Sequence, residues 1–213
     1  MGRIIVIDGT SNAGKTTLCD NLEKNVENIS IVPGASLFAK LNSARYPKIP
    51  SIPKNAEEEK ENQKFFFKLE LDRLKKANEM AKQGKDIFMD RGVLEILSVA
   101  YSFEHINGWK GIYSNARKLY EAFIEESSKS GLMLPAKYIW LQADFKEVVK
   151  RNKTREIERG QALSENDWIE SNLIKKQIDF FETMMHLPEN SDKLKLIDTN
   201  NMSKQEVLNE VCR

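Results

Sequence analysis

The sequence predicts an α/β protein, a three-layer α/β/α sandwich around a five-stranded parallel sheet. Five short apolar runs alternate with longer segments of helical periodicity, and this alternation is typical of β-α units. The first run, at residues 4–7, contains only isoleucine and valine and leads directly into a glycine-rich turn, as a buried parallel strand does. The length of 213 residues fits one domain, and we expect residues 1–213 to form it.

The first strand leads into the motif G-x-x-x-x-G-K-T, which begins at Gly9. Gly9 and Gly14 let the backbone turn tightly and bring its N–H groups close to phosphate oxygens. Lys15 can reach the β- and γ-phosphates of a nucleotide, and the Thr16 hydroxyl can ligate Mg²⁺. The residues that follow have helical spacing, so the phosphates would lie at a helix N-terminus. We expect the whole loop to contact the nucleotide: Gly9, Thr10, Ser11, Asn12, Ala13, Gly14, Lys15, Thr16 and Thr17.

A second apolar run at residues 29–32 predicts strand 2, which ends at Pro33. Three further prolines break regular structure between residues 35 and 56. This segment has two interpretations. It is a surface connection, or it is a mobile flap over residues 35–56 whose cations, such as Lys40 and Arg45, meet an anionic acceptor.

The segment from residue 57 to residue 83 predicts one long helix, because Phe67, Leu74 and Ala81 fall on one helical face. Three consecutive phenylalanines lie at residues 65–67. We expect them to pack in the core, with stacking of one ring on a planar ligand as the alternative.

The third predicted strand spans residues 86–90 and ends in an acid, Asp90, followed by Arg91. The carboxyl ends of strands in an open parallel α/β sheet are where ligands bind. Asp90 is therefore the best partner for a metal ion held by Thr16, and Arg91 would point at phosphoryl oxygens. The alternative is a simple surface ion pair between Asp90 and Arg91.

The fourth predicted strand, at residues 138–141, precedes a helix that carries three arginines at four-residue spacing. Arg151, Arg155 and Arg159 thus lie on one helical face. One interpretation is a solvated basic face that is salt-bridged to nearby glutamates. The other is a lid over residues 151–163 that closes on the triphosphate and places guanidinium groups on developing charge.

The composition excludes several function classes. A formal net charge of +1 gives no bulk electrostatic reason for a nucleic-acid or membrane partner. The two cysteines, Cys19 and Cys212, indicate neither a disulfide framework nor a zinc site. No signal peptide and no apolar run of membrane-spanning length is apparent, so we expect a cytoplasmic protein.

Four features, in this order along the chain, make the sequence similar to the P-loop nucleoside and nucleotide kinases, specifically the thymidylate kinase and deoxynucleoside kinase branch. They are Asp8-Gly9 leading into Gly14-Lys15-Thr16-Thr17, the pair Asp90-Arg91, the arginines Arg151, Arg155 and Arg159, and Ile197-Asp198-Thr199-Asn200 before the last helix. The first feature is highly specific for this family. The other three are moderately specific, and their occurrence in the expected order strengthens the resemblance.

The resemblance implies the strand order 2-3-1-4-5, with Mg²⁺ and ATP as phosphoryl donor. It implies an acceptor held between strand 2, the long second helix and the helices after Asp90, and it allows a homodimer. The residues to which it assigns catalysis are Lys15, Asp90, Arg91, Arg155 and Arg159, with the metal at Thr16 and Asp90. Nucleotide binding would extend from the loop to Arg151, Asp198, Thr199 and Asn200, since the last three lie in a segment similar to the loop that cradles adenine.

One departure from the family concerns the acceptor. Deoxynucleoside kinases usually have a glutamate just after strand 2, as base for the sugar hydroxyl, and thymidylate kinases usually have an arginine near there for the acceptor phosphate. Here the sequence continues Pro33-Gly34 and contains neither. Asp90, or less favourably Asp8, could serve as base for a hydroxyl acceptor, and Lys40 or Arg45 could bind a phosphate acceptor; the sequence leaves this open.

We therefore expect an enzyme, an ATP- and Mg²⁺-dependent kinase of a small molecule, most naturally a nucleoside or nucleoside monophosphate. One alternative is a kinase of a non-nucleotide hydroxyl compound, such as an antibiotic or cofactor precursor. Another is a nucleotide-hydrolysing switch or regulatory protein. The switch is less favoured because the sequence has no Asn-Lys-x-Asp motif for base specificity; residues 152–155 lack its aspartate.

Overall fold

The computed structural model describes residues 1–10, 12–158, 172–185 and 192–212. Its centre is a five-stranded parallel sheet with the strand order β2-β3-β1-β4-β5. The strands are β1 (Ile4–Gly9), β2 (Ile29–Val32), β3 (Asp86–Asp90), β4 (Lys137–Gln142) and β5 (Leu194–Asp198). This arrangement confirms both the predicted fold class and the strand order that the resemblance implies.

Both faces of the sheet are covered, as expected for parallel strands that are apolar throughout. Along β1, Ile4 and Val6 face one hydrophobic cluster, and Ile5 and Ile7 face the other. All four side chains are buried, because successive residues of a strand point to opposite faces. The two clusters separate the helices into the two outer layers of the sandwich.

The helices connect the strands in sequence. They are α1 (Lys15–Asn25), α2 (Ala35–Leu41), α3 (Ala56–Ala81), α4 (Val93–Asn107), α5 (Ile112–Lys129), α6 (Phe145–Glu158), α7 (Leu173–Met185) and α8 (Lys204–Cys212). The first cluster is formed with α2, α3, α4 and α5, and the second with α1, α6 and α8, while α7 contributes to both. In the part of the chain that the structure describes, no helix combines the length and the apolar character needed to cross a bilayer.

Two helices begin at the patterns D-x-x-E and S-x-x-E, which predict a capped helix start, and both starts are capped. The Glu147 N–H donates to the Asp144 carboxylate at 2.8 Å at the start of α6. At the start of α8, the Ser203 hydroxyl accepts from the Glu206 N–H at 3.2 Å, and the Glu206 carboxylate accepts from the Ser203 N–H at 2.7 Å. These bonds satisfy N–H groups that a helix leaves without an internal partner.

The segment between residues 35 and 56 is not irregular throughout, because its first seven residues form α2. The three prolines of the segment all follow the end of that helix at Leu41, so they interrupt regular structure only beyond it. Arg45 and Tyr46 bond the Asp72 carboxylate of α3, each at 2.5 Å. The middle of the segment is therefore attached to α3. The hypothesis that the segment acts as a flap stays a prediction.

Candidate functional site

The G-x-x-x-x-G-K-T loop connects β1 to α1, as predicted, and its glycines have the conformations that the turn needs. Gly9 has φ 147°, and a Cβ there would lie 2.4 Å from the Leu141 carbonyl oxygen of β4. Gly14 has φ 101° and is the N-cap of α1. Because Gly14 has no side chain to bond the first N–H groups of α1, these groups are suited to an anionic ligand.

Lys15 is buried and its ammonium group lies over the loop. Nζ donates to the carbonyl oxygens of Gly9 at 2.8 Å and Thr10 at 2.7 Å. Burial lowers the pKa of Lys15, and the neighbouring Arg91 lowers it further, while Asp8 opposes the shift. A cation that is removed from water in this way interacts strongly with any phosphate bound in the loop.

Buried oxygen atoms without a hydrogen-bond donor among the described residues lie next to this loop. They are Oδ2 of Asp8, Oγ1 of Thr10 and Oδ1 of Asp90. Burial raises the pKa of Asp8, and the Lys15 ammonium opposes the shift. Buried polar atoms are normally bonded, so this group of oxygens indicates a place for a ligand or an ion.

Asp90 ends β3 beside Thr16, as the sequence predicts. The Thr16 hydroxyl donates to Oδ2 of Asp90 at 3.2 Å, and Oδ1 is one of the unbonded oxygens. A hydroxyl and one carboxylate are hard oxygen ligands, and Mg²⁺ is usually bound by one or two carboxylates together with waters and substrate phosphates. The described residues contain no group of three or more acidic, histidine or cysteine side chains that could hold a metal by themselves.

Arg91 has a positive φ of 68°, an uncommon conformation for a residue with a side chain. Its N–H donates to the Ile7 carbonyl oxygen at 2.8 Å, so the backbone is held against β1 at this point. Its guanidinium forms an ion pair with Glu95 in the first turn of α4. Among the described residues, the acid that pairs with Arg91 is thus Glu95 rather than the neighbouring Asp90.

Arg151 joins α6 to the phosphate-binding loop and to the segment after β5. It donates to the Thr199 carbonyl oxygen at 2.6 Å and to the Thr199 hydroxyl at 3.1 Å. Asn200 accepts from the Asp144 N–H at 2.8 Å, and its own N–H donates to Asp198 at 3.0 Å. The structure therefore brings together Arg151, Asp198, Thr199 and Asn200, which the sequence separates by about 50 residues.

A cavity of about 850 Å³ opens beside Thr16 and Asp90. Its walls come from α1, the end of β2, α2, residues 50–53, α3, the end of β3, α4 and α7. This is the position that the resemblance implies for an acceptor. Phe67 is buried in the first hydrophobic cluster, and Phe66 packs against that cluster and also lines the cavity. Stacking of a ring on a ligand stays a prediction.

The cavity face of α3 is a buried polar row that sequence reasoning missed. Glu59, Gln63, Glu70 and Arg73 line the cavity, and each is at most 5% exposed. They are spaced by four, seven and three residues, which keeps them on one helical face. The spacing places the four polar residues on one face of the helix, but it does not indicate that this face is buried.

Arg73 is fully buried and fixes the end of this row against the sheet. Its guanidinium donates to the carbonyl oxygens of Pro33 at 3.0 Å, Asp90 at 2.7 Å and Arg91 at 3.1 Å. It also forms an ion pair with Glu70. Arg73 therefore ties α3 to the ends of β2 and β3, and it holds the Glu70 carboxylate at the same place.

The other acceptor-side candidates lie elsewhere. Lys40 and Arg45 are exposed and are not among the described residues that line the cavity, and Arg45 is paired with Asp72. Gly34 does line it, and a Cβ at Gly34 would lie 3.5 Å from the Asp90 carboxylate. Ser11, residues 159–163 of the predicted lid and the side chain of Arg155 are outside the described residues.

The pKa of Glu59 differs between the folded protein and the unfolded chain, so the free energy of unfolding depends on pH. Burial raises its pKa from 4.5 to about 7, while the Gln63 amide, which donates to it at 3.1 Å, opposes the shift. Between these two values the folded protein holds a proton on Glu59 that the unfolded chain has released. The free energy of unfolding therefore falls as pH rises through this window.

We predict that Glu59→Gln, which removes this titration, stabilises the protein by roughly 3 kcal/mol at about pH 8 and hardly at all at about pH 5. Urea unfolding of both proteins at the two pH values measures the effect. Glu79→Gln is the matched control, because Glu79 is exposed on the same helix. A difference between Glu59→Gln and wild type that stays constant with pH would contradict the prediction.

No protein-family model matches the chain, and no curated protein sequence matches it. Solved structures do. Thymidylate kinase from Candida albicans is similar with a TM-score of 0.66 and 17% sequence identity, over 99% of this chain and 89% of that chain. Deoxyadenosine kinase from M. mycoides, solved with bound dCTP, is similar with a TM-score of 0.56 and 17% identity, over 98% and 96% of the two chains. At this identity the likeness shows the fold, which is the one that the sequence resemblance implies.

Proposed function

We propose that this protein is an ATP- and Mg²⁺-dependent kinase that transfers a phosphoryl group to a small-molecule acceptor, a nucleoside or nucleoside monophosphate. The observation that carries the proposal is the junction between the phosphate-binding loop and the 850 Å³ cavity at Thr16 and Asp90. A triphosphate in the loop would direct its terminal phosphate toward a molecule in that cavity. Phosphoryl transfer consists mainly of such positioning and of charge neutralisation.

The loop and Lys15 supply the donor side. The N–H groups at the start of α1 and the Lys15 ammonium would bind the β- and γ-phosphates, and the ammonium would exchange the Gly9 and Thr10 carbonyl oxygens for phosphate oxygens. Arg151, held on Thr199, would support the nucleotide from α6. Asp198 and Asn200, beside it, would contact the base.

Thr16 and Asp90 would hold the metal ion. Mg²⁺ supplies neutralisation of the phosphate charge when it is bound. The Asp90 carboxylate contributes the negative charge that attracts it, and the hydrogen bond from Thr16 orients that carboxylate. Arg91, whose backbone is fixed on Ile7, would contact the phosphoryl oxygens from the side of α4.

The lid hypothesis yields a kinetic prediction. Arg155→Ala and Arg159→Ala should each lower kcat by about tenfold to a hundredfold, with ATP affinity changed less than threefold, because a lid acts mainly on the transition state. Single-turnover rates and nucleotide titrations measure the two quantities. If both variants keep the wild-type kcat, the arginines form only a solvated basic face.

The function itself is tested by incubating the protein with [γ-³²P]ATP, Mg²⁺ and candidate acceptors, and by locating the label. Label on an organic acceptor supports a kinase. Release of labelled phosphate to water alone would favour the nucleotide-hydrolysing switch instead. Nucleotide binding without any turnover would favour a regulatory protein.

A further inference from the structure

The cavity beside Asp90 has an acidic wall. Among the described residues that line it, six carry carboxyl groups and two carry guanidinium groups, and one of the six, Glu59, is largely protonated below its raised pKa of about 7. The carboxyl groups belong to Asp20, Glu23, Glu59, Glu70, Asp90 and Glu95. The guanidinium groups are already bonded to two of these acids, Arg73 to Glu70 and Arg91 to Glu95. A phosphorylated acceptor brings nearly two further negative charges, and like charges in a partly desolvated cavity repel each other.

Glu70 lies where an acceptor would meet the donor. It is 5% exposed and lines the cavity. Its partner Arg73 is bonded to the carbonyl oxygens of Pro33 and Asp90, which places this ion pair at the ends of both β2 and β3. A carboxylate from α3 therefore occupies the neighbourhood of Pro33-Gly34, where the sequence itself contains no acid.

The other acids near this point are engaged differently. The Asp90 carboxylate accepts from Thr16 and is the one suited to the metal ion. Glu95 is paired with Arg91, and its side chain is 23% exposed. Glu70 is the more rigidly held, because the guanidinium that binds it has three additional backbone partners. Burial also raises the pKa of Glu70, with Arg73 opposing the shift, and a base works best with a pKa near neutrality.

We propose that the acceptor is an unphosphorylated hydroxyl compound, as a nucleoside is, and that Glu70 is the general base that accepts the proton of its hydroxyl group. In this step the hydroxyl oxygen forms a bond to the γ-phosphorus, the bond from that phosphorus to the β,γ-bridging oxygen breaks, and ADP leaves. The hydroxyl proton moves to a Glu70 carboxylate oxygen. This inference rests on the proposed kinase function.

The first part is tested with [γ-³²P]ATP, Mg²⁺ and three sets of acceptors: nucleosides, the matching nucleoside 5′-monophosphates, and aminoglycoside or phenolic alcohols. We expect label on one or more nucleosides and at least tenfold less on the matching monophosphates. Label on the alcohols alone would support an unphosphorylated acceptor and correct its class. Label on monophosphates alone would overturn the inference while leaving the kinase function intact. Label on no acceptor would overturn both.

The second part is tested on the acceptor with the highest rate. Glu70→Gln keeps an oxygen that can accept from Arg73 but removes the base, so we expect kcat to fall about 100-fold with ATP affinity unchanged. Glu79→Gln, on the exposed face of α3, should keep the wild-type kcat. A Glu70→Gln protein with kcat within threefold of wild type would overturn the assignment.

Glu70→Gln leaves the buried Arg73 without its counter-charge and could therefore lower kcat by unfolding the protein. A second variant distinguishes this effect from the loss of the base. Glu70→Asp keeps a carboxylate near Arg73 and shortens its reach. We expect a folded protein, by circular dichroism and thermal unfolding, with kcat between those of wild type and Glu70→Gln. Wild-type kcat in folded Glu70→Asp would contradict a role in proton transfer, since that role depends on distance.

Discussion

Replacing Lys15 by methionine is expected to lower kcat for phosphoryl transfer by about 10³-fold or more, which corresponds to about 4 kcal/mol of lost transition-state stabilisation. Methionine keeps most of the aliphatic side chain and removes only the ammonium group. That group is buried over the loop, where its field is little screened by water. Negative charge develops on the leaving β,γ-bridging oxygen in the transition state, so kcat should change more than ATP affinity.

The measurement is the initial rate at saturating ATP, together with the dissociation constant of ATP from a fluorescence titration. Lys24→Met is the matched control, because Lys24 is an exposed lysine on the same helix. Circular dichroism checks that Lys15→Met is folded. A Lys15→Met protein that turns over ATP at the wild-type rate would exclude the loop as the donor site.

Asp90→Asn should lower kcat by about 10³-fold and shift the Mg²⁺ requirement at least tenfold upward. The amide keeps an oxygen that can accept the Thr16 hydrogen bond, so the local packing changes little. The Asp90→Asn variant would lack the negative charge with which the Asp90 carboxylate, together with the phosphates, would bind Mg²⁺. The effect is thus separate from the Glu70→Gln effect, which should leave the Mg²⁺ requirement unchanged.

Initial rates at a series of Mg²⁺ concentrations and at saturating ATP test this expectation. Asp179→Asn serves as the control, because Asp179 is a partly exposed acid on α7 that pairs only with Lys176 among the described side chains. If Asp90→Asn and wild type have the same Mg²⁺ midpoint, Asp90 is not a metal ligand. Asp90 would then be a second candidate for the general base, beside Glu70.

Much of the donor side was predictable because its information is local. Residues 4–17 contain a strand, a turn and a helix start in one continuous stretch, and the glycine conformations follow from the turn. The capping pairs at Asp144 and Ser203 are three residues from their partners. The strand order came from the resemblance, because periodicity alone does not say which strands are neighbours.

The acceptor side could not be predicted in the same way. Glu70 and Arg73 are ordinary charged residues of a long helix until the position of α3 on the sheet is known. The pattern predicted Asp90 at the sheet edge, but it did not predict that Arg73, 17 residues earlier, would bond the Asp90 carbonyl oxygen. The candidates that the sequence offered for the acceptor side, Asp90, Asp8, Lys40 and Arg45, did not include a residue of α3.

The α/β class, the phosphate-binding loop and the position of Asp90 at the end of a strand can be predicted from the amino-acid sequence, since each depends on residues that are close together along the chain. Which face of α3 lines the cavity, and so which acids surround it, depends on how the helix packs on the sheet. Glu70 and Arg73 are buried through contacts with the ends of β2 and β3, which are distant in sequence. No local pattern distinguishes a buried ion pair from a solvated one.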